Sequence, residues 1–507
     1  MSILKLNRIF LREYFFKNKI CIYKIFFICY NYNGDSMEKT KIIATIGPSC
    51  ESKDVLTKLI QNGLDVVRID MSYVNREKCL KIIKLIDDIN KELNTFVSVM
   101  VDITGNSITI ENLHAEGCII KKGDKIRIYR NKVLGDSTKF STSFDSFVAE
   151  TRVGNFILID NGLIELEVID KTNDYLLCMV NEGGKIKNGY KLAVPGNSYS
   201  LPFLRPDDYD NIIFACENNV DFLALSNIHN HEDVLSVNDI LIEENNDHLQ
   251  IIAKIETREA LDEIDDIIKL SDGSMVARGD LGVEVPMERI PSIQKMIINK
   301  CHAHGKISIV ATEMMSSMTH ELRPTRAEVS DVANAVLDGA DAVMLTCETT
   351  IGEHPVETIN VMSKIISSTE ENIDYLDFLD RAMRTEEDNT AGIIAYSVAS
   401  AANRLKAKLI VTPTLTGATA KRISRFRPRC LILAPSPDIN TIKSLNLNFG
   451  VVPIYIDELN SLDKIMDQVT KLAKKKIFLN EFDKIIITGS YPFKENGSTN
   501  FMQITEL

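Results

Sequence analysis

From residue 41 onward, short Ile- and Val-rich runs alternate with amphipathic stretches. The eight runs are KIIATI (41–46), LDVVRID (64–70), TFVSVMVD (95–102), DFLALS (221–226), LQIIAKIE (249–256), GSMVAR (273–278), KISIVAT (306–312) and DAVMLT (341–346). They are near-continuous in apolar character rather than alternating, as strands covered on both faces are. Between them lie helix-like segments such as TREALDEIDDIIKLS and PSIQKMIINKCHAHG. Pro291 opens the second and Gly305 closes it, the usual punctuation of a helix. Strands and helices in this alternation predict a (β/α)8 TIM barrel, with an open doubly wound sheet as the alternative.

A chain of 507 residues exceeds a single core, and its pattern divides accordingly. Residues 38–102 and 201–369 carry the barrel runs. Residues 103–200 interrupt them with turn residues and short β-like runs (GDKIRIY, NFILIDNG, LIELEVID, DYLLCMV), which read as an inserted all-β lid domain. From about 370 to 507 the pattern restarts as AGIIAYSVASAANRL, AKLIVT, ATAKRISRF, CLILAP, VVPIYI and KIIITG, a C-terminal open α/β domain. Residues 1–37, rich in Lys, Arg and aromatics, form an extension. It reads as a targeting segment or as sequence upstream of a start at Met37, and it holds no apolar run near the ~20 residues that cross a bilayer.

The net charge of −13 disfavours a nucleic-acid partner. Ten cysteines are scattered with no CxxC pair and no zinc spacing. They read as reduced thiols of a cytoplasmic protein, which argues against displaying Arg278-Gly279-Asp280 as an adhesion signal.

Polar residues collect where the barrel runs end, the C-terminal face on which barrels carry chemistry. Arg68, Asp70 and Ser72 are spaced by two, as are Lys254 and Glu256, and Arg278 and Asp280. On a strand this spacing places each set on one face. Asp102 and Thr312 end two further runs. A lone charge of this kind is more often a buried ion pair; repetition over five strands is not. Glu256 and Asp280 suit Mg²⁺ (or Mn²⁺) with substrate and water oxygens completing the shell. Lys254 can stabilise a transferring phosphoryl group or an enolate. The Gly279 and Asp280 amides can bind a carboxylate. No GxGxxG follows a strand and no GxxxxGK[ST] is present. In the last domain Thr414, Thr416, Gly417 and Thr419 open a helix, as a phosphate cradle or as ordinary capping.

These residues are recognisable as a set. TKIIATIGPS (40–49), AKIET (253–257), SDGSMVARGDLGVEVP (271–286), RPTRAEVSDVANAVLDGADAVML (323–345) and TGSYPFKENGSTN (488–500) resemble the pyruvate kinase family, and the resemblance runs in order from 38 to 507. It implies phosphoryl transfer from phosphoenolpyruvate to ADP, giving pyruvate and ATP, the last step of glycolysis. By position it implies Glu256 and Asp280 as Mg²⁺ ligands and Lys254 at the transferring group. Thr312 falls by the substrate carboxylate and the proton path, where the Gly279 and Asp280 amides bind that carboxylate. Arg68 falls near the nucleotide and phosphate, with Asp70 beside it. Asp70, Ser72 and Asp102 fall at a K⁺ site. The 414–419 loop becomes a sugar-phosphate effector loop, and the assembly a homotetramer, or a hetero-oligomer with a paralogue.

The chain departs from the family at one side of this site. RxNFSH stands as RIDMSY, placing Asp70 for Asn and Tyr73 for His; LDTKGPEIR stands as VDITGNSIT. Thus Ile103, Thr104, Ser107 and Thr109 replace Thr, Lys, Glu and Arg, and Asn227 and His229 replace Phe and a basic residue. Loss of the arginine at 109 removes a phosphate donor of roughly 1.5–3 kcal/mol, about a ten- to hundredfold penalty. The monovalent-cation requirement is expected to be weakened or altered. The leading expectation is an active divergent enzyme; the alternative is a catalytically weakened or inactive regulatory subunit.

Overall fold

The computed structural model describes residues 38–114, 116–384, 389–457, 482–490 and 499–506. The extension 1–37 and the middle of the TGSYPFKENGSTN stretch lie outside the described residues.

The eight runs form a closed parallel barrel: β1 Lys41–Thr45, β2 Val66–Asp70, β3 Ser98–Ile103, β4 Phe222–Leu225, β5 Gln250–Ile255, β6 Gly273–Ala277, β7 Ile307–Ala311 and β8 Ala342–Leu345. Each strand pairs with its sequence neighbours, and β1 closes on β8 through Lys41 opposite Ala342. Alternate residues explain the unbroken apolar runs. Ile43, Val66, Met100, Phe222, Ile252 and Met275 fill the barrel, while Ile42, Ala44, Val67 and Val99 pack outward under the helices. Each buried Val, Ile, Phe or Met side chain contributes about 1.5–3 kcal/mol. TREALDEIDDIIKLS forms two helices, Arg258–Asp262 and Ile264–Leu270. The break falls at Glu263, whose carboxylate is drawn to His231 Nδ1 at 2.7 Å.

Residues between β3 and β4 build a seven-stranded sheet in the order Leu192–Ala193, Phe156–Ile159, Ile164–Lys171, Tyr175–Glu182, Lys125–Tyr129, Lys139–Thr142, Ile110–Glu111. It is antiparallel except for the parallel pair Lys125–Tyr129 with Lys139–Thr142, and one helical turn, Phe147–Glu150, accompanies it. The sheet has its own core around Phe140, Phe147 and Leu166.

The last sheet runs Val451–Tyr455, Leu431–Ser436, Leu409–Val411, Lys484–Gly489, Phe501–Glu506, with only the final pair antiparallel. It docks on the N-terminal end of the barrel. Lys41 Nζ donates to the Val451 carbonyl at 2.9 Å, Ser98 Oγ to the Lys443 carbonyl at 2.8 Å, and Arg427 pairs with Asp341 at 2.9 Å. The lid sheet lies at the opposite end, so the barrel mouth is where lid and strand termini meet. Among the described residues no helix is long and apolar enough to cross a membrane, and eight described cysteines are free thiols.

Candidate active site

The ends of β2, β3, β4 and β5 converge on one buried charge cluster. In-register pairing sets Asp70 opposite Asp102. Arg68 Nη2 pairs with Asp70 at 2.9 Å and with Asp102 at 2.7 Å, while its Nη1 donates to Thr45 Oγ1 at 3.0 Å. Lys254 Nζ lies 2.8 Å from Glu256 Oε1 and 3.3 Å from Asp102 Oδ2, and donates to Ser226 Oγ at 2.7 Å. Ser226 Oγ in turn donates to Asp102 Oδ1 at 2.9 Å. Burial works against the charge of Lys254, but Asp102 and Glu256 outweigh it and raise its pKa, so the ammonium is held charged. Burial likewise works to raise the pKa of Asp102, and Lys254 and Arg68 outweigh it and hold the carboxyl low. Glu256 is 2 % exposed and also accepts the Asn227 amide at 2.8 Å.

Strand alternation does not place every residue predicted from it. β6 ends at Ala277, and Arg278–Glu284 is a short helix. Arg278 and Asp280 therefore do not share a strand face; two helical steps turn them apart. Arg278 points inward to Asp331 at 2.7 Å and to the Thr312 carbonyl at 2.6 Å, which also removes it from any displayed adhesion signal. Asp280 faces the crevice under the lid, which Glu256 and Glu284 also line. Ser72 lies past the end of β2. Its N–H donates to Asp70 Oδ1 at 2.9 Å, and its hydroxyl donates to Thr104 Oγ1 at 3.3 Å. Asp70, Ser72 and Asp102 are thus neighbours, but protein donors hold both oxygens of Asp70 and of Asp102.

Thr312 follows β7 at φ 69°, a left-handed conformation unusual for a β-branched residue. Its Oγ1 accepts the Gly279 N–H at 2.9 Å, so that amide is engaged within the chain. A Cβ at 279 would meet nothing nearer than Thr312 Oγ1 at 3.5 Å, so internal packing alone does not require glycine there. Gly105, at φ 66°, is required by the chain itself, because a Cβ would lie 2.4 Å from the Ser226 carbonyl.

In the last domain the Gly417 N–H donates to Thr414 Oγ1 at 2.8 Å, and Thr419 Oγ1 bonds Thr499 Oγ1 at 2.8 Å. Gly417, at φ 79°, begins the helix Ala418–Arg425, and Thr416 beside it is exposed. The four residues form one loop, closed by the Thr414 hydroxyl; the helix N-cap is Gly417, with no side chain capping the helix.

The barrel mouth thus gathers a buried ammonium, a guanidinium and carboxylates beneath the lid sheet. The barrel-domain model of pyruvate kinase matches residues 37–359, and the alpha/beta-domain model matches 393–505. The chain belongs to the pyruvate kinase family. It is 39 % identical over 475 residues to a pyruvate kinase of Clostridium perfringens, covering 93 % of this chain and all of that one. It is 36 % identical over 471 residues to one of Clostridium acetobutylicum, covering 92 % and 99 %, and 38 % over 468 residues to one of Geobacillus stearothermophilus, covering 92 % and 80 %. Like other pyruvate kinases it is a phosphotransferase.

Sequence reasoning missed three residues that the pyruvate kinase barrel brings to this mouth. Ser226 and Thr45 end β4 and β1, so the strand-end rule that found Lys254 reaches them too. Lys191 had no such sign: it stands in the lid sequence, 89 residues before Asp280, yet its Nζ is 3.3 Å from Asp280 Oδ1. Of the departures, Tyr73 is 89 % exposed, and Asn227 takes φ 56°, a conformation asparagine tolerates.

Proposed function

We propose that this chain transfers the phosphoryl group of phosphoenolpyruvate to ADP, giving pyruvate and ATP in the cytoplasm. The observation that carries this is Lys254, a buried ammonium held charged by Glu256 and Asp102 at the mouth of the barrel. The P–O bond to the enol oxygen breaks as a β-phosphate oxygen of ADP bonds to phosphorus. Lys254 and Arg68 face the charge that this transfer moves. The enolate then takes a proton at its methylene carbon along a path past the Thr312 hydroxyl. The substrate carboxylate lies against the helix start at Asp280, because the Gly279 N–H is already given to Thr312 Oγ1. The buried Arg68, held by the half-buried Asp70, orients the phosphate side of the nucleotide.

Among the described residues no group of three or more His, Cys, Asp or Glu could hold a metal ion. Glu256 and Asp280 nevertheless fit Mg²⁺ or Mn²⁺. Both are hard carboxylates lining one crevice, and a cation that keeps waters and takes substrate oxygens needs only one or two protein carboxylates. When bound it would neutralise phosphoryl charge and polarise the enolate oxygen. K⁺ would compete with Arg68 for Asp70 and with Lys254 for Asp102, so its role is reduced. The 414–419 loop is the proposed sugar-phosphate site, and a tetramer the proposed assembly; light scattering with and without sugar phosphates tests both.

The deciding assay is pyruvate formation by the purified chain from phosphoenolpyruvate, ADP and Mg²⁺. Activity that falls at least a thousandfold in Lys254→Met is expected. A wild-type protein that makes no pyruvate, alone or with a co-expressed paralogue, overturns the reading.

A further inference from the structure

The lid brings one cation to the barrel mouth, and its backbone fixes where. The Leu192 N–H donates to the Ile108 carbonyl at 2.8 Å, and the Ile110 N–H to the Tyr190 carbonyl at 2.9 Å. These bonds pair Lys191 directly opposite Thr109 in an antiparallel bridge. Side chains so opposed start about 4.5–5.5 Å apart at Cβ. Position 109 holds Thr where the family pattern has arginine, and Lys191 is the cationic residue directly across from it. Lys191 leaves the lid and crosses the crevice to Asp280. Among the described residues Lys191 is the one lysine or arginine lining that crevice; the charged lining is otherwise Glu256, Glu259, Asp280 and Glu284, with His229 beside them. The Lys191 side chain is 50 % exposed. It is therefore not locked in place as Lys254 is, and its four-carbon stem can swing between two anions.

We propose that Lys191 is the residue of the lid that neutralises substrate phosphate, taking over from the opposite strand the work of an arginine at 109. With no divalent cation bound, it rests on Asp280. A cation on Asp280 displaces it toward the phosphoryl oxygens, which couples ion binding to the hold of the lid on its substrate. This inference rests on the phosphoryl-transfer reading above, and its test separates the two.

The test compares wild type, Lys191→Met, Thr109→Arg and the double variant, read first without turnover. Mn²⁺ binding without substrate is followed by electron paramagnetic resonance. Binding of phosphoenolpyruvate to the Mn²⁺-loaded protein is followed by calorimetry. Lys191→Met is expected to bind Mn²⁺ several-fold more tightly, because no ammonium competes for Asp280. It is expected to bind phosphoenolpyruvate at least tenfold more weakly. Thr109→Arg is expected to change wild-type binding less than threefold but to restore binding at least tenfold when added to Lys191→Met. Equal Mn²⁺ affinity in wild type and Lys191→Met, phosphoenolpyruvate binding within twofold, or absence of restoration by Thr109→Arg overturns the proposal. Wild-type protein that shows the binding pattern but makes no pyruvate fails the catalytic reading and leaves this one standing.

Discussion

Arg278 holds the carbonyl of Thr312 with two N–H groups, Nη2 at 2.6 Å and Nε at 3.3 Å. The turn it grips is left-handed at both Thr312 (φ 69°) and Glu313 (φ 53°). Such residues cost about 1–3 kcal/mol and persist only when surroundings fix them. Arg278 supplies that fixing, and Gly279 bonds the Thr312 hydroxyl from the same helix start. Arg278→Lys keeps the charge but loses the planar fork. It is expected to lower kcat about ten- to hundredfold, with KM for phosphoenolpyruvate within threefold, because it misplaces the Thr312 hydroxyl proposed to lie on the proton path. Steady-state kinetics checks this, and a change confined to KM would count against it.

The proposed monovalent-cation side rests on Asp70. Its oxygens accept Arg68 Nη2 at 2.9 Å and the Ser72 N–H at 2.9 Å, and Arg68 already carries the charge a K⁺ ion would bring. Activity in tetramethylammonium buffer is expected to stay within about tenfold of that in K⁺. Asp70→Asn removes one of the two carboxylates paired with Arg68, leaving Asp102, and is expected to widen the difference. Assays across the alkali-metal series decide the point, and near-complete dependence on K⁺ in wild type would refute it.

Much of the fold could be read from the chain because each barrel strand carries its own two-sided burial, and Pro291 and Gly305 bracket their helix locally. Lys254, Glu256 and Asp102 were visible for the same reason: residues at strand ends inherit their direction from the strand. Arg278 and Asp280 were misjudged at that boundary. The change from strand to helix at 278 follows from the backbone, and a spacing of two means opposite things on either side of it. Lys191 was not legible, since its place depends on how the lid sheet folds over a barrel residue far along the chain. The sequence shows Thr109 only as a loss; that Lys191 stands across from it is set by the folded lid sheet.

Glu284 predicts a pH dependence of stability. Burial raises its carboxyl from 4.5 to about 7, and Glu259 adds to the rise while His229 offsets it. Between these values the native state keeps a proton that the unfolded chain has released, so stability falls as pH rises through that window. Glu284→Gln removes the effect. It is expected to be more stable than wild type by ~1 kcal/mol at pH 8, after allowance for partial solvent screening, and equal to it at pH 4.5. Urea midpoints at the two pH values measure this, and an equal gain at both would refute the assignment.

The junction of barrel and C-terminal domain depends on Arg427. It is 2 % exposed, pairs with Asp341 at 2.9 Å, donates to the Gly339 carbonyl at 2.7 Å and covers the Phe449 ring at 4.3 Å. His302 Nε2 lies 2.6 Å from its Nη2; burial first, and then Arg427, hold that ring neutral. Removing one member of a buried pair costs about 3–5 kcal/mol, largely because the other is left uncompensated. Arg427 Nε and Nη1 have no hydrogen-bond partner among the described residues, so the arginine is imperfectly satisfied and the low end applies. Arg427→Met is therefore expected to lose ~3 kcal/mol. Asp341 still accepts Ser308 and Phe449 N–H groups, so Asp341→Asn added to Arg427→Met should recover part of that loss by removing the stranded charge. Chemical denaturation of the single and double variants measures both steps. A double variant less stable than Arg427→Met alone would mean that the ion pair is not what joins the two domains.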